Sequence, residues 1–161
     1  MGGSVGPVEA VDVLGVPVGA FTSYDDAVER VSAIVSAGGK QFWVAINPEK
    51  LCRAERDEHL RRVLTGADAG ICDGMGVSVA ARLLCHRRLP RCTGCDLFEA
   101  LVAAAAQRQW RVFFLGASPK SNEVACENLQ RRHPGLVVAG RQDGYFVDDG
   151  AVVERINDVR A

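Results

Sequence analysis

Short apolar runs alternate with amphipathic helical patterns along most of this 161-residue chain. The clearest run, Arg-Val-Phe-Phe-Leu at 111–115, is too uniformly apolar for a sheet that has one face in water. Strands separated by helices are typical of a parallel sheet whose two faces are both covered. The alternation therefore predicts an α/β protein with a doubly wound, mostly parallel sheet and flanking helices.

Glycine, proline and capping residues at the ends of these runs set the expected boundaries. Strands are predicted as a short hairpin or edge strands over 11–21 and as single runs at 41–46, 70–72, 111–115 and 136–139. Helices are predicted from Ser23 to Gly38, over 48–64 in one or two pieces, over 77–84, from near Asp96 onward, over 119–132 and from Asp148 or Asp149 onward. Residues 140–146 are expected to form a loop and residues 1–9 to be disordered, which leaves 10–161 as a single domain.

The last predicted helix reaches Ala161 without a C-terminal cap. In a doubly wound fold, a crossover helix is followed by another parallel strand. We therefore expect the C-terminal part of the fold to be missing from this sequence.

Composition and charge exclude some classes of protein and indicate where the protein is found. The net charge of −1 argues against a general nucleic-acid binder, which needs an excess of basic residues. The sequence contains neither a long apolar span nor a signal-peptide pattern, so we expect a cytoplasmic protein. Its six cysteines are spread through a core-forming chain, and we expect free thiols that are mostly buried.

The stretch Ala-Gly-Ile-Cys-Asp-Gly-Met-Gly-Val at 69–77 combines a short apolar run, Asp73 and two glycines. In an open α/β sheet, ligands bind where strands end and helices begin, so Asp73 is a candidate functional carboxylate. An ordinary turn in which Asp73 caps the next helix explains the same residue types.

Three known kinds of site fit this chain poorly. A dinucleotide-binding loop would have glycine where Val79 stands, and Asp73 would lie beside the pyrophosphate. The Cys92-x-x-Cys95 pair has no second matching pair, which makes zinc a weak interpretation. No further pattern supports a thioredoxin-like redox unit. We therefore expect neither a metal nor a cofactor.

A phosphate-binding site explains more of the polar residues. Asn47 and Asp73 would both follow the carboxyl ends of strands, and Gly116 precedes a helix that Ser118 can cap. Arg91 would add a permanently charged group suited to a diphosphate. Each residue also has a structural explanation: a turn at Asn47, a surface cation at Arg91 and a hinge at Gly116.

Six motifs in order resemble those of the WecG/TagA/CpsF glycosyltransferases, with nearly regular spacing over about residues 10 to 161. The motifs are Asn-Pro-Glu-Lys-Leu at 47–51, Asp-Gly-Met-Gly-Val at 73–77, Arg-Cys-Thr-Gly-Cys-Asp at 91–96, Val-Phe-Phe-Leu-Gly at 112–116, His-Pro-Gly-Leu at 133–136 and Asp-Gly-Tyr-Phe at 143–146. Six motifs in the right order are far more specific than any one of them.

The resemblance implies a Rossmann-like fold and a metal-independent, inverting glycosyltransferase. Such an enzyme transfers N-acetylmannosamine or a related sugar from a UDP-sugar to polyprenyl-diphosphate-linked N-acetylglucosamine, in the biosynthesis of cell-surface polysaccharide or teichoic acid. The resemblance also implies peripheral contact with the inner face of the plasma membrane, and it leaves homo-oligomerisation open.

The resemblance assigns roles to particular residues. Asp73 would be the general base. The expected substrate-binding residues are Asn47, Gly74, Arg91, Asp96, Gly116 and Ser118. Ala45 stands where the family usually has threonine, which removes a hydroxyl contact to the substrate.

The family continues with a further strand and a basic C-terminal appendage that docks to the membrane, and both are absent from these 161 residues. Two alternatives to an active enzyme therefore stay open. One is a catalytically incomplete module that only binds a sugar nucleotide, and the other is an unstable remnant with an exposed sheet edge.

Overall fold

The computed structural model describes residues 8–161, and most of the predicted disordered segment 1–9 lies outside that range. The chain consists of two compact units that divide between Ala100 and Leu101. The interpretation of residues 10–161 as one domain stays a prediction.

The first unit begins with the predicted hairpin. Strand β1 (Ala10–Val13) pairs antiparallel with β2 (Val16–Gly19), and the tight turn between them contains Gly15. Helix α1 (Tyr24–Ser36) follows, because Ser23 caps it by accepting a hydrogen bond from the Asp26 N–H at 3.1 Å.

The centre of the first unit is a pair of parallel strands, β3 (Trp43–Ile46) and β4 (Ala69–Cys72). The segment between them forms two helices, α2 (Pro48–Ala54) and α3 (Glu58–Thr65). The break between these helices occurs where Asp57 caps α3, so the two-piece interpretation of 48–64 is confirmed.

Helix α4 (Met75–Leu84) follows β4, and helix α5 (Gly94–Arg108) begins in the first unit. The buried apolar core of this unit comes from the hairpin, β3, β4 and α2 to α4. Its largest fully buried side chains are those of Val13, Val16, Val18, Ile46, Leu64, Cys72 and Val77. The core therefore lies beneath the strand ends that carry Asn47 and Asp73.

The second unit contains another parallel strand pair, β5 (Arg111–Leu115) and β6 (Val137–Gln142). Helix α6 (Pro119–Arg132) connects them, and α7 (Asp149–Asp158) follows β6. Buried side chains from α5, α6 and the strand pair form a separate core around Val102, Leu129 and Leu136.

Asn122 joins the ends of β5 and β6 from within the second unit. Its side chain is only 5 % exposed, and Nδ2 lies 3.0 Å from the Gly116 carbonyl, 3.2 Å from the Gln142 carbonyl and 3.4 Å from the Phe114 carbonyl. One buried amide therefore serves several backbone acceptors where the strands end.

The predicted α/β class with parallel strand pairs is confirmed, and several boundaries were wrong. Strand β3 begins at Trp43 rather than at residue 41. Helix α4 begins at Met75 rather than at residue 77, because Gly74 takes the N-cap position. Strand β6 extends through Gln142, where a loop was predicted, because a register shift opposite Val112 and Phe113 lets Gly140 continue the pairing.

Two further findings concern the thiols and the membrane. All six cysteines are free as predicted, although only Cys72, Cys92 and Cys126 are buried. In the part of the chain that the structure describes, no helix combines the length and apolarity needed to cross a bilayer.

We predict that Asn122→Ala destabilises the protein, because it removes the buried amide whose Nδ2 bonds the backbone at the ends of β5 and β6. The expected loss is about 1–3 kcal/mol of unfolding free energy, measured by urea denaturation. Asn157→Ala, at an exposed position on α7, is the matched control and should change stability little. Equal stabilities for the two variants would contradict the role of Asn122.

Candidate active site

Parallel pairing brings Asn47 and Asp73 to neighbouring positions. Ile46 pairs with Cys72 in the register of β3 and β4, and the Asp73 N–H donates to the Ile46 carbonyl at 2.9 Å. The next residue on each strand therefore leaves the same edge of the sheet. Asn47 and Asp73 are both partly exposed, so a ligand can reach their side chains.

Asn47 is also the N-cap of α2. Its Oδ1 accepts a hydrogen bond from the Lys50 N–H at 2.9 Å, and Pro48 occupies the first turn of the helix. Lys50 folds back so that its Nζ donates to the Ala45 carbonyl at 2.7 Å. The side-chain oxygen of Asn47 is thus used within the protein, while its Nδ2 group donates to no residue in 8–161.

The carboxylate of Asp73 lies beside the first residue of α5. A Cβ atom on Gly94 would be 3.6 Å from Asp73 Oδ2 and 3.4 Å from the Cβ of Ala45. The N-terminal end of a helix carries partial positive charge, which favours a nearby ionised carboxylate. Ala45, the position where threonine was expected, therefore lies within the same small region as Asp73.

Helix α4 begins directly after Asp73 with free backbone donors. Gly74, at its N-cap, has a φ of 105° and a ψ of 152°, a conformation suited to glycine. No side chain within residues 8–161 caps α4, unlike α1, α2, α3, α6 and α7. The uncapped N–H groups of its first turn could bind an anion.

Close packing between Gly76 and Pro48 holds the beginnings of α2 and α4 together. A Cβ atom on Gly76 would lie 2.6 Å from Cγ of the Pro48 ring, closer than real side chains approach. Because Pro48 follows Asn47 directly, this contact helps set the distance between Asn47 and Asp73. The sequence analysis placed Gly76 in a turn and missed this packing role.

Arg91 is exposed, and the residue after it contacts the backbone at the end of β4. The N–H of the following residue, Cys92, donates to the Cys72 carbonyl at 3.0 Å. Burial is the main cause that raises the pKa of Cys72 to about 11, and it also raises the pKa of Cys92. Both thiols therefore stay protonated and uncharged at neutral pH.

Asp96 takes part in a hydrogen-bond network at the start of α5. Its Oδ2 accepts hydrogen bonds from Thr93 Oγ1 at 2.6 Å and from the Tyr24 hydroxyl at 3.1 Å. The Thr93 N–H in turn donates to the Tyr24 oxygen at 3.2 Å. The bond from Thr93, then that from Tyr24, lowers the pKa of Asp96, and the charge of Arg91 lowers it further.

Gly116 and Ser118 lie at the turn from β5 to α6 in the second unit. Gly116 has a φ of 121°, and a Cβ atom there would have open space around it. The Ser118 hydroxyl caps α6 by accepting from the Ser121 N–H at 3.2 Å, as predicted. The substrate-binding role of both residues stays a prediction.

The structure thus groups Asn47, Asp73 and Gly74 directly. The backbone just after Arg91 and the first turn of α5 lie close by. Sequence reasoning missed the contribution of Tyr24, whose partners follow about seventy residues later. The Thr-x-x-Asp spacing at 93–96 was a readable capping signal. Across the described residues, no three His, Cys, Asp or Glu side chains are arranged to share a metal ion, so Cys92 and Cys95 have no third ligand there.

Comparison with known proteins decides the family. The family model "Glycosyl transferase WecG/TagA/CpsF family" matches residues 11–161. The chain belongs to the WecG/TagA/CpsF family of glycosyltransferases. The resemblance carried by the six motifs is therefore confirmed.

Two curated relatives are named N-acetylglucosaminyldiphosphoundecaprenol N-acetyl-beta-D-mannosaminyltransferase. The protein from Bacillus spizizenii is 36% identical over 115 residues, which cover 71% of this chain and 45% of the relative. The protein from Bacillus subtilis is 28% identical over 142 residues, covering 84% of this chain and 52% of the relative. This WecG/TagA/CpsF chain thus spans about half the length of the curated relatives it matches.

We predict that Gly76→Ala destabilises the protein although alanine is the better helix former. The added methyl group meets the rigid Pro48 ring, and the expected loss in urea unfolding is about 1–3 kcal/mol. Gly150 is the matched control, since it is also the second residue of a helix, and its nearest atom to an added Cβ is Asp148 Oδ1 at 3.2 Å. A similar loss for Gly150→Ala would contradict the importance of the Pro48 contact.

We predict that Tyr24→Phe lowers the unfolding free energy by about 1–3 kcal/mol, because the buried Thr93 N–H loses its acceptor. The ionisation of Asp96 also makes the unfolding free energy depend on pH. Its pKa is lower in the folded protein, so its stabilising effect is full above the usual value of 3.8 and is lost as the pH falls through the lowered pKa.

Urea denaturation at neutral and acidic pH measures both effects of Tyr24→Phe. The exposed Tyr145 is the control position, and Tyr145→Phe should leave stability unchanged. A deficit of Tyr24→Phe that grows as the pH is lowered would contradict the contribution of the ionised Asp96.

Proposed function

We propose that this chain carries the base and part of the substrate site of an N-acetylmannosaminyltransferase. The donor would be a UDP-sugar carrying N-acetylmannosamine or a related residue. The acceptor would be a polyprenyl-diphosphate-linked N-acetylglucosamine. Family membership and the names of the two Bacillus relatives support this choice of reaction and acceptor.

The observation that carries the proposal is the position of Asp73 at the end of β4, beside Asn47 and at the start of an uncapped helix. In the proposed reaction, an Asp73 oxygen takes the proton from the acceptor hydroxyl. The hydroxyl oxygen forms a bond to the anomeric carbon of the donor. The bond from that carbon to the UDP oxygen breaks, and UDP leaves with its electron pair.

Charge that develops on the leaving diphosphate needs stabilisation. In our proposal, the first-turn N–H groups of α4 after Gly74 contact a phosphate, and the exposed guanidinium of Arg91 offsets negative charge. The free Nδ2 of Asn47 would donate to a sugar or phosphate oxygen. Asp96 can contribute only its Oδ1, because Oδ2 already accepts from Thr93 and Tyr24.

The second unit would contribute a separate anion-binding turn. The Gly116 N–H itself donates to the Gln142 carbonyl, so the N–H groups offered to an anion would be those of the turn after Gly116 and of Ser118, at the end of a parallel strand. We propose these residues as substrate contacts because such turns bind phosphate in other α/β proteins. A location at the inner face of the plasma membrane follows from the proposed lipid-linked acceptor.

We predict that Asp73→Asn lowers kcat by about 10²- to 10⁴-fold and leaves donor affinity nearly unchanged. The substitution keeps the shape of the side chain and removes its ability to accept a proton. The assay uses UDP-N-acetylmannosamine with a soluble lipid-diphosphate acceptor analogue, and calorimetry measures donor binding. Asp25→Asn, at an exposed position of α1, is the charge-matched control and should retain full activity.

Normal turnover by Asp73→Asn would rule out Asp73 as the base. Donor binding by the unsubstituted chain without any product would instead support the second candidate function, a module that binds a sugar nucleotide without catalysis. That candidate is kept because the matched region covers only about half of each relative.

A further inference from the structure

A cavity of about 450 Å³ lies between helices α2 and α3 in the first unit. Its volume is within the range of sites that hold a small molecule. Asn47 is one of the residues that line it, and Asn47 leaves the sheet beside Asp73. The cavity therefore borders the candidate active site, although Asp73, Gly74 and Arg91 do not line it.

The packing of both helices fixes the walls of the cavity. Leu51 and Ala54 of α2 and Leu64 of α3 are buried in the core of the first unit. Arg53 Nε lies 3.4 Å from Asp57 Oδ2, so an ion pair joins α2 to the N-cap of α3. The cavity is thus formed before any ligand arrives, which lowers the cost of binding.

The charged groups of the cavity balance one another. Two acidic and two basic side chains line it, and both basic groups already have partners. Lys50 Nζ donates to the Ala45 carbonyl at 2.7 Å, and Arg53 pairs with Asp57. A phosphate group is bound best by basic side chains that are free to pair with it. The cavity is therefore suited to an uncharged ligand rather than to the diphosphate of a nucleotide.

The remaining groups of the cavity combine apolar surface with hydrogen-bonding capacity. Leu60 and Val63 supply aliphatic side chains, and Glu49 and His59 supply exposed polar groups. An ionised carboxylate accepts hydrogen bonds, and a neutral imidazole both donates and accepts. The Nδ2 group of Asn47 adds a donor that is unused within the described part of the chain. A sugar matches this combination, because one face of its ring presents C–H groups and its edge carries hydroxyl groups.

We propose that the cavity between α2 and α3 binds the ring of a neutral N-acetylhexosamine, with its C–H face on Leu60 and Val63. The hydroxyl and acetamide groups of the sugar would bond to Glu49, His59 and Asn47. The choice of sugar rests on the proposed function, because both substrates of that reaction carry an N-acetylhexosamine. The ring belongs either to the donor or to the acceptor, and in both cases Asn47 holds it next to the candidate active site.

The test is an NMR titration of the full 161-residue chain with the methyl glycosides of N-acetylglucosamine and N-acetylmannosamine. Both probes are uncharged and lack a diphosphate leaving group, so the result does not depend on sugar transfer. We expect the methyl signals of Leu60 and Val63 to shift, and those of the exposed Val124 and Val153 in the second unit to stay in place. Methyl glucoside, which lacks the acetamide group, should bind at least about threefold more weakly.

The two probes also distinguish the source of the sugar. Tighter binding of the N-acetylglucosamine probe assigns the cavity to the acceptor. Tighter binding of the N-acetylmannosamine probe assigns it to the donor.

Two substitutions locate the binding site. Val63→Phe fills part of the cavity and should weaken binding of the preferred glycoside at least about tenfold. Val153→Phe makes the same change at an exposed position of α7 and should bind normally. Glu49→Ala removes a hydrogen-bond acceptor and should weaken binding about tenfold. Its matched control is Glu55→Ala at the exposed C-cap of α2, which should change binding little.

Circular dichroism checks that each variant is folded. The proposal is overturned if neither glycoside shifts the Leu60 and Val63 signals, or if Val63→Phe binds as tightly as Val153→Phe. Sugar transfer by Val63→Phe at unchanged KM for both substrates would also overturn it, and would leave the proposed function standing. Glycoside binding at the cavity without transfer by the unsubstituted chain would support the cavity and count against the proposed transfer.

Discussion

The candidate site depends on the parallel pairing of β3 with β4. The register places Ile46 opposite Cys72, and the bond from the Asp73 N–H to the Ile46 carbonyl extends the pairing to the last position before the chain turns away. A slip of one residue would move each side chain to the other face of its strand. The amide of Asn47 and the carboxylate of Asp73 would then no longer leave the sheet side by side.

Helix beginnings complete the surroundings of these two side chains. Asn47 starts α2, Gly74 starts α4 after Asp73, and the first residue of α5 lies close to the Asp73 carboxylate. The contact between Gly76 and Pro48 sets how closely the first two helices approach. Of these, the start of α4 has no side-chain cap within residues 8–161, and uncapped N–H groups at a helix start favour phosphate. This convergence supports a reaction in which a diphosphate leaves.

Helix α4 connects the candidate active site to the core of the first unit. Its first turn is the part proposed to contact the donor, and its exposed side carries Met75, Val79 and Leu83. The Ser78 hydroxyl donates to the Leu89 carbonyl, and the Cys85 thiol donates to the Asp12 carbonyl. These bonds hold the first turn of the helix in place beside Asp73.

Local signals determined much of the fold from sequence alone. Ser23, Ser118 and Asp148 accept hydrogen bonds from N–H groups three positions later, so nearby residues were enough to predict these helix starts. Asn47 and Asp57 cap α2 and α3 in the same way, although neither cap was predicted. The six motifs likewise identified the family. Only the tertiary structure decided the network of Tyr24, Thr93 and Asp96, the packing of Gly76 on Pro48 and the exposed side of α4. These features depend on contacts between residues far apart in the chain, and hydrophobic spacing does not reveal which neighbour, or none, covers a given face.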